Sequence, residues 1–250
     1  MPIRFTIGSK SRTRIFAPHW LSTLLTLAAC VLFVALGRWQ WNKGNLRQAE
    51  WDNFSRGADQ VLPLDSRGVG DVRRYQRVSV PGRFDSLRQF LLDNRTYQGR
   101  AGYEVLTPLE RSDGRVVLVD RGWVPFTGLR DRLPGVALTA HDVVTVTGRV
   151  DELPSAGLSS GRAAPATGGQ WPKVTSYPTM KELSAAFGRS LEPRIVLLDA
   201  HEPDGYVRDW HPPGVTPVRH WSYAVQWWSF AVLAIVLWAV VNTRSLAEPV

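Results

Sequence analysis

The sequence predicts an integral membrane protein in which two transmembrane α-helices, forming a hairpin, flank a β-rich α+β extramembrane domain. The sheet is expected to be antiparallel or a partly closed barrel. Three observations carry this. Residues 20–37 and 223–241 are apolar and uncharged, each about long enough for a hydrocarbon core of roughly 30 Å. Six of the eleven tryptophans (Trp20, Trp39, Trp41, Trp221, Trp227, Trp228) flank or open those segments, the depth amphipathic indoles prefer. Between the segments the apolar period falls to two.

Residues 1–18 are polar and basic, with Arg4, Lys10, Arg12 and Arg14 and no acid, and read as a loose cytoplasmic terminus. Basic flanks stay inside, so a first helix over 19–37 and a second over 220–241 return the tail 242–250 to the cytoplasm. Residues 38–219 then face the other side, the periplasm if the host membrane is a Gram-negative inner membrane. Leu27-Ala28-Ala29-Cys30 resembles a lipidation site, but the apolar run continues after Cys30, which favours an uncleaved anchor.

The formal charge of +8 raises the question of nucleic acid. Between the spans, however, 25 Lys and Arg meet 21 Asp and Glu without a basic run. That pattern is a solvated surface plus a topology signal, so nucleic acid is not an expected partner and membrane lipid is. With Cys30 as the only cysteine, the chain has no internal disulfide, no Cys-x-x-Cys metal or redox site and no covalent c-type haem site.

Past the first span, Leu46, Glu50, Trp51 and Phe54 recur at helical spacing, so the helix should continue beyond the membrane surface. Residues 61–72 read as loop. Alternation begins near Tyr75, and strands are expected around Val78–Val80, after Phe84, over 103–109, 115–125, 143–150 and 194–199. Ser112-Asp113-Gly114 supplies a hairpin turn. Residues 180–188 form the one helical pattern of this domain, with Leu183, Ala186 and Phe187 on one face. Residues 153–169 are a flexible Pro/Gly-rich loop. Within it Gly157–Gly161 fits G-x-S-x-G, but no strand and helix flank Ser159, so it is not expected to be a nucleophile. Two Asn-x-Ser/Thr tripeptides, at Asn53 and Asn94, matter only in a eukaryotic secretory route.

The second span opens with the stretch that matters most. His220, Tyr223, Ala224 and Trp227 share one helical face, setting a possible metal ligand against aromatic walls at the membrane surface. His19 lies at the opposite end of the first span, roughly 27 Å away in depth, so these two histidines cannot share an ion. His211 is the weaker second candidate; His141 and His201 fall in polar loops. Arg83 and Arg121, inside strand blocks, are read as structural partners of Asp85 and Asp120.

Five blocks in order resemble the Surfeit-locus family of cytochrome c oxidase assembly factors. They are Leu36-Gly37-Arg38-Trp39-Gln40, the stretch from Tyr75 to Asp85, Gly102 to Pro108, Val119 to Pro125, and Arg219-His220-x-x-Tyr223-Ala224-x-Gln226-Trp227. The chain departs from the family pattern at Lys43, where arginine is usual, and at Asp120, where asparagine is common. The resemblance implies a non-enzymatic role in building the haem a and copper centre of oxidase subunit I, with other assembly factors as further partners. It also implies that the histidine at the start of the second span, here His220, is a ligand to haem a iron. The chemistry fits: Tyr223, Ala224 and Trp227 offer a wall, and Arg219, Arg38 and Lys43 offer cations for propionates. A scaffold that contacts subunit I without haem is the alternative, and a membrane-anchored hydrolase using Ser159 is the third reading.

Overall fold

The computed structural model describes residues 3–7, 12–57, 60–138, 142–155 and 161–245. The chain forms two compact units, residues 1–51 with 213–250, and residues 52–212.

The first unit begins with strands β1 (Ile3–Ile7) and β2 (Arg12–Phe16), an antiparallel pair where the sequence suggested a loose terminus. Helix α1 follows over Trp20–Arg56. It is about 55 Å long at 1.5 Å per residue, so the apolar run and the amphipathic run beyond it are one helix. Its N-terminus is held by His19, whose ring Nδ1 accepts from Leu21 N and whose carbonyl accepts from Thr23 N.

The second unit holds strands β3 (Val61–Pro63), β4 (Arg77–Phe84), β5 (Phe90–Tyr97), β6 (Arg100–Glu110), β7 (Val116–Pro125), β8 (Val143–Asp151) and β9 (Lys173–Thr175). Helix α2 (Met180–Phe187) and strand β10 (Ile195–Leu198) complete it. The eight strands make one sheet in the order β3-β4-β8-β10-β7-β6-β5-β9. Most neighbours are antiparallel, but β3/β4, β10/β7 and β5/β9 run parallel. The end of β4 also pairs with β6 through Arg83↔Glu110 and Phe84↔Leu109. That brings β4, β8, β10, β7 and β6 into a ring joined at its seam by two residue pairs, a partly closed barrel.

Alternation along the strands separates two cores. All five ring strands point residues inward, among them Val78, Val80, Val146, Val196, Val117 and Leu109. The opposite face of β6, β7 and β10 carries Leu106, Leu118, Ile195 and Leu197 beneath Leu183, Ala186 and Phe187 of α2. Strand β7 is therefore apolar on both sides, which is why it reads as the unbroken run Val-Val-Leu-Val. Helix α2 is fixed at both ends: Thr179 and Glu182 exchange bonds in a capping box, and Gly188 takes the left-handed conformation that ends it.

One buried cation pins the loop before β4 to the barrel. Arg111, with a side chain 2% exposed, donates to the carbonyls of Leu64, Asp65 and Arg67 and to Glu192 Oε1 at 3.1 Å. Glu192 also accepts from Val69 N. Arg111→Ala would take the donor from three carbonyls and leave Glu192, still accepting from Val69 N, without its buried counter-charge, a loss of about 3–5 kcal/mol. A thermal melt in detergent should show Tm falling by about 10 °C; a fall under about 2 °C would mean the contacts are dispensable.

The expected pairings of Arg83 with Asp85 and Arg121 with Asp120 do not form. Consecutive strand residues point to opposite faces, so Arg121 turns away from Asp120. It donates instead to Asp204 O, Val136 O and Thr107 Oγ1, and lies over the Tyr206 ring. Asp85 lies beyond the end of β4, where it accepts from Leu87 N, Arg88 N and Arg88 Nε. Asp120 is fully buried and accepts from Gly122 N at 3.0 Å.

Burial above all, with the charge of Glu104 added, pushes the Asp120 carboxyl well above the usual carboxylate range. Glu104 is itself raised by burial, an effect partly offset by Arg95. A raised folded-state pKa gives stability that is present below the ordinary value of about 4 and is lost as pH rises through the raised one. Asp120→Asn keeps the acceptor oxygen and cannot ionise. It should flatten the decline of Tm with pH and melt higher than the parent at pH 8. Parallel slopes for the two proteins would rule out Asp120 as the cause.

Helix α3 (Pro217–Val241) and strand β11 (Thr243–Ser245) return the chain to the first unit. Pro217 at the first helical position has the φ a helix needs and lacks an N–H that would go unpaired there. Strand β11 pairs with β2, making a three-stranded sheet that the sequence did not suggest. Asn242 ties the two helices at this end: its carbonyl accepts from Ala17 N and its Oδ1 from His19 N and Ser22 Oγ. His19 is thus bound at the α3 C-terminus, at the other end of the hairpin from His220. The most apolar windows of α1 and α3 are only 6% and 11% buried. A helix inside a soluble core would be mostly covered; these present their Leu, Val and Ile side chains outward, as lipid-facing helices do.

Candidate functional site

The site lies at the end of the α1–α3 hairpin opposite Asn242, and its geometry follows from how closely the two helices approach. Ala224 and Ala231 of α3 are buried. On α1, Gly37 and Gly44 sit two turns apart on one face. A Cβ on Gly37 would fall 2.2 Å from Trp228 Nε1, and one on Gly44 would fall 2.4 Å from Trp221 Cδ1 and Nε1. The indoles of α3 thus rest directly on α1 backbone, and Trp41 packs against both, with ring centroids 5.9 Å from Trp221 and 5.8 Å from Trp228. Trp221 Nε1 donates to Asn45 Oδ1 at 3.2 Å. Lower down, Cys30 Sγ meets Ala231 O at 3.6 Å and Trp238 Nε1 donates to Thr23, so the two helices stay in contact along their length.

This packing sets His220, half-buried, beside Gln40, with Nδ1 2.8 Å from Gln40 Oε1. His220 also lines a cavity of about 430 Å³ together with Trp39, Lys43, Leu46, Arg47, Glu50 and Val215. The five α1 residues fall at i, i+4, i+7, i+8 and i+11, one face of the helix where it leaves its apolar run. Arg47 is engaged, its Nη1 2.6 Å from Glu50 Oε2 and 3.3 Å from Pro213 O. Lys43 has no carboxylate partner among the described residues. The arrangement offers a ring nitrogen able to ligate a metal, an indole wall and a cation able to meet an acidic substituent. Its volume is in the range of small-molecule sites.

Of the residues singled out in the sequence, the structure brings His220 and Lys43 together. Tyr223 is 46% exposed and outside the lining. Trp227, about 10 Å deeper along the helix, stacks on Phe33 at 5.8 Å. Arg38 and Arg219 are neighbours in sequence of Trp39 and His220 but do not line the cavity. Tyr223 and Trp227 share a helical face with His220, but Trp227 is taken up by its packing on Phe33 of α1 and Tyr223 stays exposed outside the lining. Trp39, Gln40, Leu46, Arg47, Glu50 and Val215 are not among the site residues expected from the sequence. The sequence already carries the first helix past Gly37, and the i, i+4, i+7, i+8, i+11 spacing of the α1 group is the signal from which it could be found. His211 belongs to the other unit, its Nδ1 against Asp209 O at 2.8 Å. Ser159 and His141 lie outside the described residues.

Fold and site together define a two-span membrane protein with a β-rich domain between its helices and an imidazole-bearing cavity at one end of the hairpin. The chain belongs to the SURF1 family, whose model matches residues 27–232. It is 28% identical over 231 residues to an uncharacterised SURF1-like protein of Mycobacterium tuberculosis, covering 88% of this chain and 82% of that one. A SURF1-like protein of Rickettsia conorii is 21% identical over 242 residues, covering 92% and 94%. One of Dictyostelium discoideum is 31% identical over 108 residues, covering 39% and 40%.

Gly44→Val would drive the Trp221 indole from its seat and break its bond to Asn45. Overpacking of this kind costs about 1–3 kcal/mol, so Tm in detergent should fall by about 5 °C and tryptophan emission should shift. An unchanged melt and spectrum would show that the helices do not approach this closely.

Proposed function

We propose that the protein is a non-enzymatic assembly factor for cytochrome c oxidase that holds haem a for subunit I at the external surface of the inner membrane. The observation that carries this is the His220 cavity, where an imidazole, a lysine without a carboxylate partner among the described residues and an indole converge at the end of two lipid-facing helices. It is supported by the membership of the SURF1 family. In this reading both termini are cytoplasmic and the β-rich domain is periplasmic. His220 ligates the iron, and Lys43, with Arg38 and Arg219 nearby in sequence, meets the propionates. Haem a contributes the iron and the macrocycle; the chain binds, orients and shields it, then gives it up. Other assembly factors would join at the domain surface.

The test is a reduced-minus-oxidised spectrum of the protein purified from membranes of a host that makes haem a, beside His220→Ala at matched expression. The parent should carry a haem a band, and the variant should lose it while keeping the parent's circular dichroism. A parent without haem that still co-purifies with subunit I would overturn the carrier and establish a scaffold.

A further inference from the structure

We infer that Gln40 is the positioning residue of the His220 site, its side-chain carbonyl holding the ring proton on Nδ1 so that Nε2 is presented to the metal. This rests on the haem-binding reading and specifies how the imidazole serves it.

Gln40 and His220 are 180 residues apart in sequence and 2.8 Å apart in space. A neutral imidazole carries one proton. Gln40 Oε1 can only accept, so with that atom against Nδ1 the proton sits on Nδ1, and the lone pair of Nε2 is left for a metal. Among the described residues nothing else hydrogen-bonds to the ring. Ligating histidines need such an outer partner to fix tautomer and ring plane, and its loss typically costs about 10–100-fold in metal affinity. The partner here is an amide rather than a carboxylate. An amide draws less on the Nδ1 proton and raises the basicity of Nε2 less, which suits a site that must release what it binds. The position of Gln40 is set by the same approach of the helices that seats Trp221 and Trp228 on glycine, so the backbone packing of the hairpin fixes the tautomer. The opposite amide orientation, with the NH2 donating to Nδ1, would move the ring proton to Nε2 and close it to iron.

The experiment compares the parent with Gln40→Leu and Gln40→Glu, with circular dichroism melts showing that each is folded. First, two-bond ¹H–¹⁵N spectra of ¹⁵N-histidine-labelled, haem-free protein in micelles at pH 8 are recorded, with His220 assigned from His220→Ala. The parent and Gln40→Glu should hold the proton on Nδ1; Gln40→Leu should move it mainly to Nε2. A parent ring protonated at Nε2, or a leucine variant with the parent's tautomer, overturns the inference without reference to haem. Second, the three proteins are purified from a haem a-making host. Gln40→Leu should bind haem a about 10–100-fold more weakly, and Gln40→Glu should retain it with a more negative reduction potential. Equal affinity and potential in all three overturns the role of Gln40. A parent with the Nδ1 proton and no haem overturns the carrier reading, and with it the use assigned to that proton.

Discussion

The close approach of α1 and α3 is the constraint on which the site depends. Between helices in lipid there is no hydrophobic driving force, so association rests on packing and on hydrogen bonds across the interface. Gly37 and Gly44 remove the side chains that would hold the helices apart, and Ala224 and Ala231 do so on the facing helix. Indoles then fill the space beside each glycine, so the surface that keeps the helices together also aims the polar groups at the hairpin end. A glutamine and a histidine from opposite ends of the sequence meet there because Trp41 is fixed between Trp221 and Trp228.

The extramembrane domain solves a separate problem, closing a sheet with little help from helices. Its ring is completed by two residue pairs between β4 and β6, and a single α-helix, α2, covers the outer core. Polar groups inside are correspondingly well used. Arg111 takes up three carbonyls and a buried carboxylate, and Arg121 takes up two carbonyls, a hydroxyl and an aromatic face. The use is not complete: Gln89 Oε1 and Arg149 Nε are buried without a hydrogen-bond partner among the described residues, and Asp120 is a carboxyl held in its burial by one backbone N–H and set against Glu104.

What could be read from the sequence was whatever depends on local pattern. The two spans follow from uninterrupted apolar runs, α2 from the spacing of Leu183, Ala186 and Phe187, β4 and β8 from alternation, and β7 from a short apolar run bounded by turn residues. Pairings between distant segments left no such mark. Strand β7 runs parallel to β10 across some 80 residues, and β11 joins β2 from the far end of the chain. The site was half-visible for the same reason: the spacing around His220 gives its neighbours on α3, but the side of α1 that meets it depends on where two glycines let the helices touch. Tyr223 and Trp227 were thus grouped with His220, while Gln40 and Arg47 were passed over.

The 180 residues separating Gln40 from His220 also order events in time. At about 5–20 residues per second, on the order of 10–40 s pass between the synthesis of one partner and the other. Through that interval the first helix waits in the bilayer without the second, and the whole of the β-rich domain, residues 52–212, is made before the histidine exists. A nascent chain therefore lacks the His220 cavity until its second helix is made. The site comes into being only as the second helix arrives, so it forms only on chains whose β-rich domain has already been made.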